Sequence, residues 1–450
     1  MKYLIVDTGL AESIAYRLAE EGEKVYYYVS WQRSTPEQSD ILYGKGFLEE
    51  AGVKFVENYE KYVDDVDVII FTDVFWGEAA DKLREEGKLV WGASEKGTRL
   101  ENDRGYAKEA GIYEYFPKSK VYSNKHLSKY ASPIIEAIKD IEEEEFNRPV
   151  IKLNKIGDSS IKTYVSVDNE DAVIHLENLK EKGIDDSTEI LVTDYVDGIE
   201  VAMGVFVGPD GFVMPWNMNF EHKRLFPGEL GKMTGEMGTV IFNKDNSDVD
   251  NLFEIMFGKY EKWYKENYGI GYVDINAIVS YKDGKPYYLE HTSRFGYPHI
   301  SIMLPAIKTP LGKIFYDVTK GIMKRIDISP DWLTGVCANV DDLSSPTSGD
   351  NVIIRVKNPD YLYKHIPAGI YKDDKGYIRS VPTHSRVFVA VGMDQTLQGS
   401  IDKAYENIED IIIPNGYYRI DIGLKVFDYI HDLFELGYIS SKRYLTVFEE

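Results

Sequence analysis

The sequence predicts a mixed α/β protein, with a parallel, Rossmann-like sheet at its N-terminus and a β-rich C-terminal part. Three observations carry this. Apolar runs alternate with amphipathic helical stretches over residues 1–100, the pattern of a parallel sheet with helices on both faces. Further on, two apolar runs flank Lys282-Asp283-Gly284-Lys285-Pro286, and Asp-Gly between β-branched and aromatic runs is a hairpin signal. From Leu333 onward, short strand-like runs dominate.

In chain order, residues 2–6 read as a strand, followed by Asp7-Thr8-Gly9-Leu10 and a helix over 11–21 with Ile14, Ala15 and Leu18 on its apolar face. Strands follow over 25–29, 66–71 and 88–91. The first turn offers one glycine, Gly9, where a dinucleotide fingerprint needs G-x-G-x-x-G, so a dehydrogenase is disfavoured. A polar helix start lies within 92–105. The strand PVIKL at 149–153 carries Lys152 near its end, then come small polar residues, Ile161-Lys162 and a strand through Val167. Such a unit suits a flap whose backbone N–H groups close on phosphates. No Gly-Lys-Ser/Thr opens a helix here, so it is not a Walker loop. The alternative is an ordinary hairpin turn with surface lysines.

Strands are expected over 189–192, 201–207 and 212–215, with Glu221-His222-Lys223-Arg224 at a strand exit. The stretch GELGKMTGEMG at 228–238 is glycine-rich and aperiodic, which marks a functional or surface loop. Residues 302–322 are helical in pieces broken by Pro305 and Pro310, and Pro330-Asp331 marks a domain junction. Beyond it, strands are expected over 335–340, 351–356, 369–371 and 386–391, and helices over 396–408 and 424–436.

Composition narrows the function classes. At 450 residues the chain is long enough for roughly three domains. No apolar stretch reaches the ~20 residues that span a bilayer, and the N-terminus reads as a strand rather than a signal peptide, so a cytoplasmic protein is expected. The single cysteine, Cys337, excludes intrachain disulfides, and its apolar neighbours predict a buried structural thiol. A net charge of −23 argues against a nucleic-acid partner. The acidic run at 142–145 reads as a solvated helix face.

The predicted hairpin carries the chemistry. Asp274, Asn276 and Glu290 are oxygen donors in strands that otherwise read as core. A carboxylate there is costly unless paired or bound to a cation, so two strands bringing such oxygens together point to a hard metal, Mg²⁺. The alternative is that Asp274 caps the strand start and Glu290 pairs with Arg294.

Taken in order, the motifs resemble the ATP-grasp superfamily, and within it the phosphoribosylamine–glycine ligases. TGEMG at 234–238 resembles that family's NTGGMG, EHKR at 221–224 its DHKR, LEHTSRFGYPH at 289–299 its LEFNxRFGDPE, and YYRIDIG at 417–423 its YRKDIG. The resemblance implies an N-terminal pre-ATP-grasp α/β domain at 1–100, an ATP-grasp domain at 101–330 with a lid at about 120–193, and a β-rich domain at 331–450. It implies ATP and Mg²⁺ as cofactors and small molecules as partners, with the chain a monomer or homodimer. Lys152 and Lys162 would hold phosphates, Asp194 and Val196 would meet adenine through their backbone, and Glu200 would bind the ribose. Lys223 would reach the γ-phosphate, and Arg294 would stabilise a phosphate or acyl-phosphate oxygen. Glu290, Asn276 and Thr292 would ligate the metal. Glu221, Thr234, Gly235, Met237, Gly238, His299, Gly9, Arg386 and Arg419 would face the other substrates.

The departures cluster at one end. Thr292 stands where the family has a metal-ligating Asn, and His299 where it has an acid. The family's first turn, GNGGREHA, is TGLAESIA here, with Ala11 and Ser13 in place of Arg and His. The family's lysine in YRKDIG is Ile420, and its NGGR becomes Thr383-His384-Ser385-Arg386. The ATP half of the motif set is retained and the phosphoribosylamine half is not. The expected activity is ATP-dependent ligation of glycine or another small amino acid to an amine other than phosphoribosylamine. The alternatives are an authentic phosphoribosylamine–glycine ligase of purine synthesis, or a non-catalytic ATP-binding protein.

Overall fold

Five strands form the N-terminal sheet, and all but the short edge strand are mostly apolar on both faces, as buried parallel strands require. They are β1 (Lys2–Asp7), β2 (Lys24–Val29), β3 (Lys54–Phe55), β4 (Val68–Phe71) and β5 (Val90–Ala93), in the order β3-β2-β1-β4-β5 and all parallel. The helix Glu12–Glu20 follows β1 and buries Ile14, Ala15 and Leu18. The computed structural model describes residues 1–30, 43–103, 105–123, 132–153, 163–183, 188–244, 251–340, 352–381 and 385–447.

A second, antiparallel sheet, ordered β6-β9-β7-β8, is built from β6 (Ser119–Tyr122), β7 (Pro149–Leu153), β8 (Thr163–Val165) and β9 (Ile190–Asp194). The helices Pro133–Glu142 and Asn169–Glu181 pack Ile134, Ile141, Ala172 and Leu176 against it as a small core of its own. The strand PVIKL lies where the sequence put it. The small polar stretch after it, with Lys162, lies outside the described residues.

The largest layer is antiparallel. It runs through β10 (Gly198–Gly208), β11 (Gly211–Glu221), β14 (Gly238–Lys244), β15 (Gly269–Ser280) and β16 (Pro286–Thr292), with β12 (Arg224–Phe226) and β13 (Leu230–Met233) as a separate hairpin. The first turn of β15 pairs with β5, Gly269 opposite Ala93, which joins this layer to the N-terminal sheet. On its other side β14 pairs with β17 (Trp332–Asn339). The remaining C-terminal strands are β18 (Ile353–Val356), β19 (His365–Pro367), β20 (Ile370–Lys372), β21 (Ile378–Ser380), β22 (Arg386–Asp394) and β23 (Ile411–Ile412). Of these, β22 and β19 extend β17, so the sheet counts thirteen strands among the described residues and continues past Pro330-Asp331.

One expectation changes, and two alternatives drop away. The stretch at 228–238 is not all loop, since it contains β13, in which Met233 pairs with Arg224 and Leu230 with Phe226. The strand was hidden because Leu230, Gly231 and Lys232 are all exposed, so no burial alternation marks it. Asp274 does not cap a strand start; it sits mid-strand opposite Gly204. Arg294 pairs with Glu101 and Asp73 rather than with Glu290. Cys337 is fully buried, and burial pushes its thiol up to about 11, consistent with an inert structural role.

Beneath the antiparallel layer, His291 is held by three tyrosines: Tyr113 at 2.7 Å and Tyr264 at 2.8 Å on Nε2, and Tyr288 at 2.9 Å on Nδ1. Burial pushes its pKa from 6.5 down to about 3. Between these values the unfolded chain binds a proton that the folded chain refuses, so folding stability falls as pH drops below about 6.5. The wild-type protein should lose about 1.4 kcal/mol per pH unit more than His291→Gln across this window. Denaturant titrations at pH 6.5, 5.5 and 4.5 check this, and parallel slopes for the two proteins would contradict it.

Candidate functional site

The register of the antiparallel layer places its polar residues on one face. Across the sheet, Asn217, Gly204, Asp274 and Thr292 form one row, and Asn219, Ala202, Asn276 and Glu290 form the next. Glu200 and Ile278 pair one step further on, with Glu221 two residues past Asn219 on β11. Opposed residues in an antiparallel pair share a face, and the alternate positions Val201, Met203, Met218, Val273 and Ile275 fill the core on the other side. The centre of the floor has no room for side chains. A Cβ on Gly204 would lie 1.7 Å from Tyr272 Oη and 2.8 Å from Asp274 Oδ2.

At one end of this floor three carboxylates converge on one ammonium. Lys223 Nζ lies 2.9 Å from Glu221, 3.2 Å from Glu200 and 3.3 Å from Glu290. Burial pulls the Lys223 pKa down, but Glu221, Glu200 and Glu290 outweigh it and raise it well above normal, so the lysine stays charged. Burial and Glu200 raise the Glu221 pKa against the pull of Lys223. Asn276 Nδ2 donates to Glu221 at 2.8 Å, which leaves its amide oxygen as the atom that could ligate a metal. Glu290, that oxygen and the Thr292 hydroxyl are neighbours on one face and are all hard oxygen donors, so the residues fit Mg²⁺. Among the described residues one trio of acids lies within metal-ligand spacing, Asp140, Glu143 and Glu145. It lies at the end of the helix Pro133–Glu142 with Lys120 against Asp140, whereas Glu290 on the floor lines a cavity.

That cavity, about 350 Å³, lies between the floor and the second sheet. Lys152, Asp194, Val196, Glu200, Lys223, Thr234, Gly235 and Glu290 all line it, with apolar walls from Val150, Val165, Ile278 and Leu289. Tyr429, from the helix Leu424–Glu435, closes one side. The register slips between Asn276 and Ala277, so β16 carries one extra residue there, and this bulge lets both Leu289 and Glu290 reach the lining.

The floor, the second sheet and the cavity between them match known proteins. Residues 118–300 match the family model described as phosphoribosylglycinamide synthetase, ATP-grasp (A) domain. The chain has the ATP-grasp fold. This ATP-grasp protein is 26% identical over 357 residues to the phosphoribosylamine–glycine ligase of Helicobacter pylori strain J99, covering 77% of this chain and 79% of the relative. It is 25% identical over 443 residues to that of Pyrococcus furiosus, covering 94% and 95%. The crystal structure of phosphoribosylamine–glycine ligase from Thermotoga maritima superposes with a TM-score of 0.71 at 19% identity, over 94% of this chain and 100% of that one.

The remaining sequence-derived residues of this ATP-grasp protein fall in three groups. Arg294 lies beside the floor, its Nη2 3.1 Å from Glu101 and its Nε 3.4 Å from Asp73. Burial opposes its charge, but Glu101 and Asp73 raise its pKa and hold it cationic. Thr234 fixes the glycine loop by bonding Lys223 O at 2.8 Å, Met237 N donates to His222 O at 2.9 Å, and Gly238 O accepts from His222 N at 2.9 Å. His299 sits at the far end of the floor, with Nδ1 3.2 Å from Asp274 Oδ2. Arg386 Nη2 donates to Glu236 O at 3.1 Å behind the loop.

Of the sequence-derived residues, Glu221, Asn276, Thr292, Arg294, Met237, Gly238, His299, Arg386, Arg419 and Gly9 are outside the cavity lining. Arg419 is 1% exposed and bonds Asp421, Glu229 and Arg224 O, tying the C-terminal segment to the β12–β13 hairpin. Gly9 lies under the Tyr43 ring, where a Cβ would meet that ring at 2.7 Å. The sequence reading missed Asn217, Asn219, Glu236 and Tyr429. A period-2 signal was present for the first two, since Asn217, Asn219 and Glu221 alternate with apolar residues. Burial, then Glu221, raises the Glu236 carboxyl well above its usual range.

Replacing Lys223 by Ala leaves three carboxylates facing one another. With side chains 18–35% exposed the loss should be roughly 1–3 kcal/mol, less than for a fully buried pair. Thermal melts should show a lowered Tm, and millimolar Mg²⁺ should recover more of it than it adds to the wild type. Equal Mg²⁺ responses would contradict this electrostatic account.

Proposed function

We propose that this protein is an ATP-dependent carboxylate–amine ligase that activates a small amino acid as an acyl phosphate. The observation that carries the reading is the single cavity shared by Lys152, Lys223, Glu200, Glu290 and the Asp194–Val196 backbone. Its lining suits a purine nucleotide. Val150, Val165, Ile278 and Leu289 offer apolar walls to a base, and Glu200 offers acceptors to ribose hydroxyls. Lys152 and Lys223 offer point charges to phosphates. Glu290, Asn276 and Thr292 would hold Mg²⁺, which neutralises phosphate charge when bound.

In this reading a carboxylate oxygen attacks the γ-phosphorus and ADP leaves. The amine then attacks the acyl carbon, the bond to phosphate breaks, and the nitrogen gives up a proton, leaving amide, ADP and phosphate. The chain's part is positioning and charge neutralisation, and no protein nucleophile is needed. Lys223 touches the floor's carboxylates and Arg294 follows β16 two residues past Thr292, and both are kept charged by carboxylates.

For the substrate pair, the similarity to phosphoribosylamine–glycine ligases, which reaches 94% of the chain, supports phosphoribosylamine and glycine over a different amine. One observation favours a second reading, an amine without a phosphate. The helix Glu12–Glu20 begins at a turn that could cradle an anion, yet Asp7 fills it. Asp7 Oδ2 accepts from the N–H groups of Gly9, Leu10 and Ala11 at 2.9, 2.9 and 3.1 Å and from the Tyr27 hydroxyl at 2.5 Å, while Thr72 bonds Oδ1 at 2.6 Å.

Phosphate release from ATP with glycine and phosphoribosylamine, alongside a panel of other acids and amines, tests the reading. Lys152→Ala should lower the rate by about a hundredfold or more, and unchanged release would remove the phosphate role of Lys152. Rescue of a purine auxotroph lacking phosphoribosylamine–glycine ligase would support phosphoribosylamine. Release with a phosphate-free amine, and no rescue, would support the second reading.

A further inference from the structure

The segment from Arg419 to Gly423 lies outside the cavity lining, yet it grips the chain on both sides of Lys223. On one side the Gly423 N–H donates to His222 Nε2 at 3.1 Å. Burial, then Lys425 and Arg419, pull the His222 pKa well below normal, so the ring is neutral and Nε2 can accept. On the other side Arg419 Nη1 donates to Arg224 O at 2.9 Å. The segment is itself braced by Tyr405, whose hydroxyl donates to Arg419 O and accepts from Ile422 N, both at 2.9 Å. The same guanidinium sets the hairpin that follows. β12 and β13 form a two-stranded sheet of their own, and of their residues only Leu225 is buried. Such a hairpin is marginal without outside support. Its turn holds Glu229 at a φ of 57°, a left-handed conformation that residues other than glycine disfavour. Arg419 Nη2 bonds Glu229 Oε1 at 2.9 Å, and Asp421, paired with Arg419, accepts from Gly228 N at 2.8 Å. Ile420, in the place of the family's lysine, is 69% exposed and makes none of these bonds.

We infer that Arg419 is a positioning residue for Lys223, acting from behind the β12–β13 hairpin and touching no substrate itself. Three carboxylates draw the Lys223 ammonium, but its flexible stem starts wherever the backbone between His222 and Arg224 is held. Arg419 and Gly423 hold that backbone at both neighbours. Past the turn the chain returns through Met233, Thr234 and Gly235, which line the cavity with Lys223, and Thr234 bonds Lys223 O. One buried guanidinium thus fixes the start of β12 and the turn of the hairpin, and through them the place of the lysine. A misplacement of about 1 Å in a group that meets a reacting phosphate costs up to about a hundredfold in rate. The C-terminal segment thereby governs the phosphate end of a cavity that it does not enter.

The inference rests on the phosphate role of Lys223 in the ligase reading above, and calorimetry separates the two. Wild-type protein is titrated with ADP and with β,γ-imido-ATP, each with Mg²⁺. The wild type should bind the triphosphate tighter, and Lys223→Ala should remove that preference. Arg419→Met should reduce the preference about tenfold. Phosphate release with glycine and phosphoribosylamine should show its kcat lowered by about ten- to a hundredfold, with both KM values within about twofold of wild type. Tyr405→Phe keeps the Arg419 ion pairs but removes the hydroxyl that braces the segment. It should act in the same direction to a smaller extent, and it serves if Arg419→Met does not fold. A raised KM with an intact preference would make Arg419 a substrate ligand, and a lowered Tm with preference and kcat unchanged would make it structural only. Either outcome overturns the inference alone. A wild type without the preference, or a preference that survives in Lys223→Ala, removes the phosphate role of Lys223 and the inference with it.

Discussion

The ammonium of Lys223 holds together three strands that would otherwise repel one another at their ends. Glu200 comes from β10, Glu221 from β11 and Glu290 from β16, and each places a carboxylate within 3.3 Å of the same nitrogen. Without a cation at that point, the negative charge would force the strand ends apart or force protonation. With one, the strands can carry a concentration of acid that a doubly charged ion or a phosphorylated ligand can exploit. The lysine's position depends in turn on the loop behind it, because Thr234 bonds the Lys223 carbonyl and His222 bonds both ends of the Met237-Gly238 step.

Around that centre the molecule separates its charges by distance along one sheet face. The cavity end mixes cations and acids: Lys152 and Lys223 opposite Glu200 and Glu290. At the far end Asn219 Nδ2 donates to Asp274 Oδ2, and His299 Nδ1 lies 3.2 Å from the same oxygen. In the N-terminal turn the donors are already consumed by Asp7. A fixed internal carboxylate thus competes with any phosphate at the start of the first helix. Net charge alone, at −23, would have said nothing of this arrangement.

Much of the fold was legible because the strands here are long and apolar. β7, β15 and β16 and the broken helical run after His299 lie close to where alternation, Asp-Gly and proline placed them. The ATP-grasp character was legible from four short motifs whose residues, apart from Arg419 and the YYRIDIG segment, gather around the floor and its glycine loop. One strand stayed hidden. Leu230 to Met233 form a strand with no buried face, so periodicity gave no sign of it. Arg294 sits four residues from Glu290, yet Glu101 and Asp73, about two hundred residues away in sequence, claim it.

The sequence by itself determined which residues carry oxygen, charge and apolar surface, and in what order, because periodicity and turn chemistry are local properties of the chain. It could not determine which of those oxygens are neighbours. That was decided by strand register, a relation between segments far apart in sequence: Asn217 faces Gly204, which faces Asp274, which faces Thr292. Register depends on how two apolar faces pack and on a single extra residue in β16, and no short stretch of sequence contains either. Only in three dimensions does Asp274 change from one oxygen donor among several in a hairpin to the carboxylate that Asn219 and His299 surround.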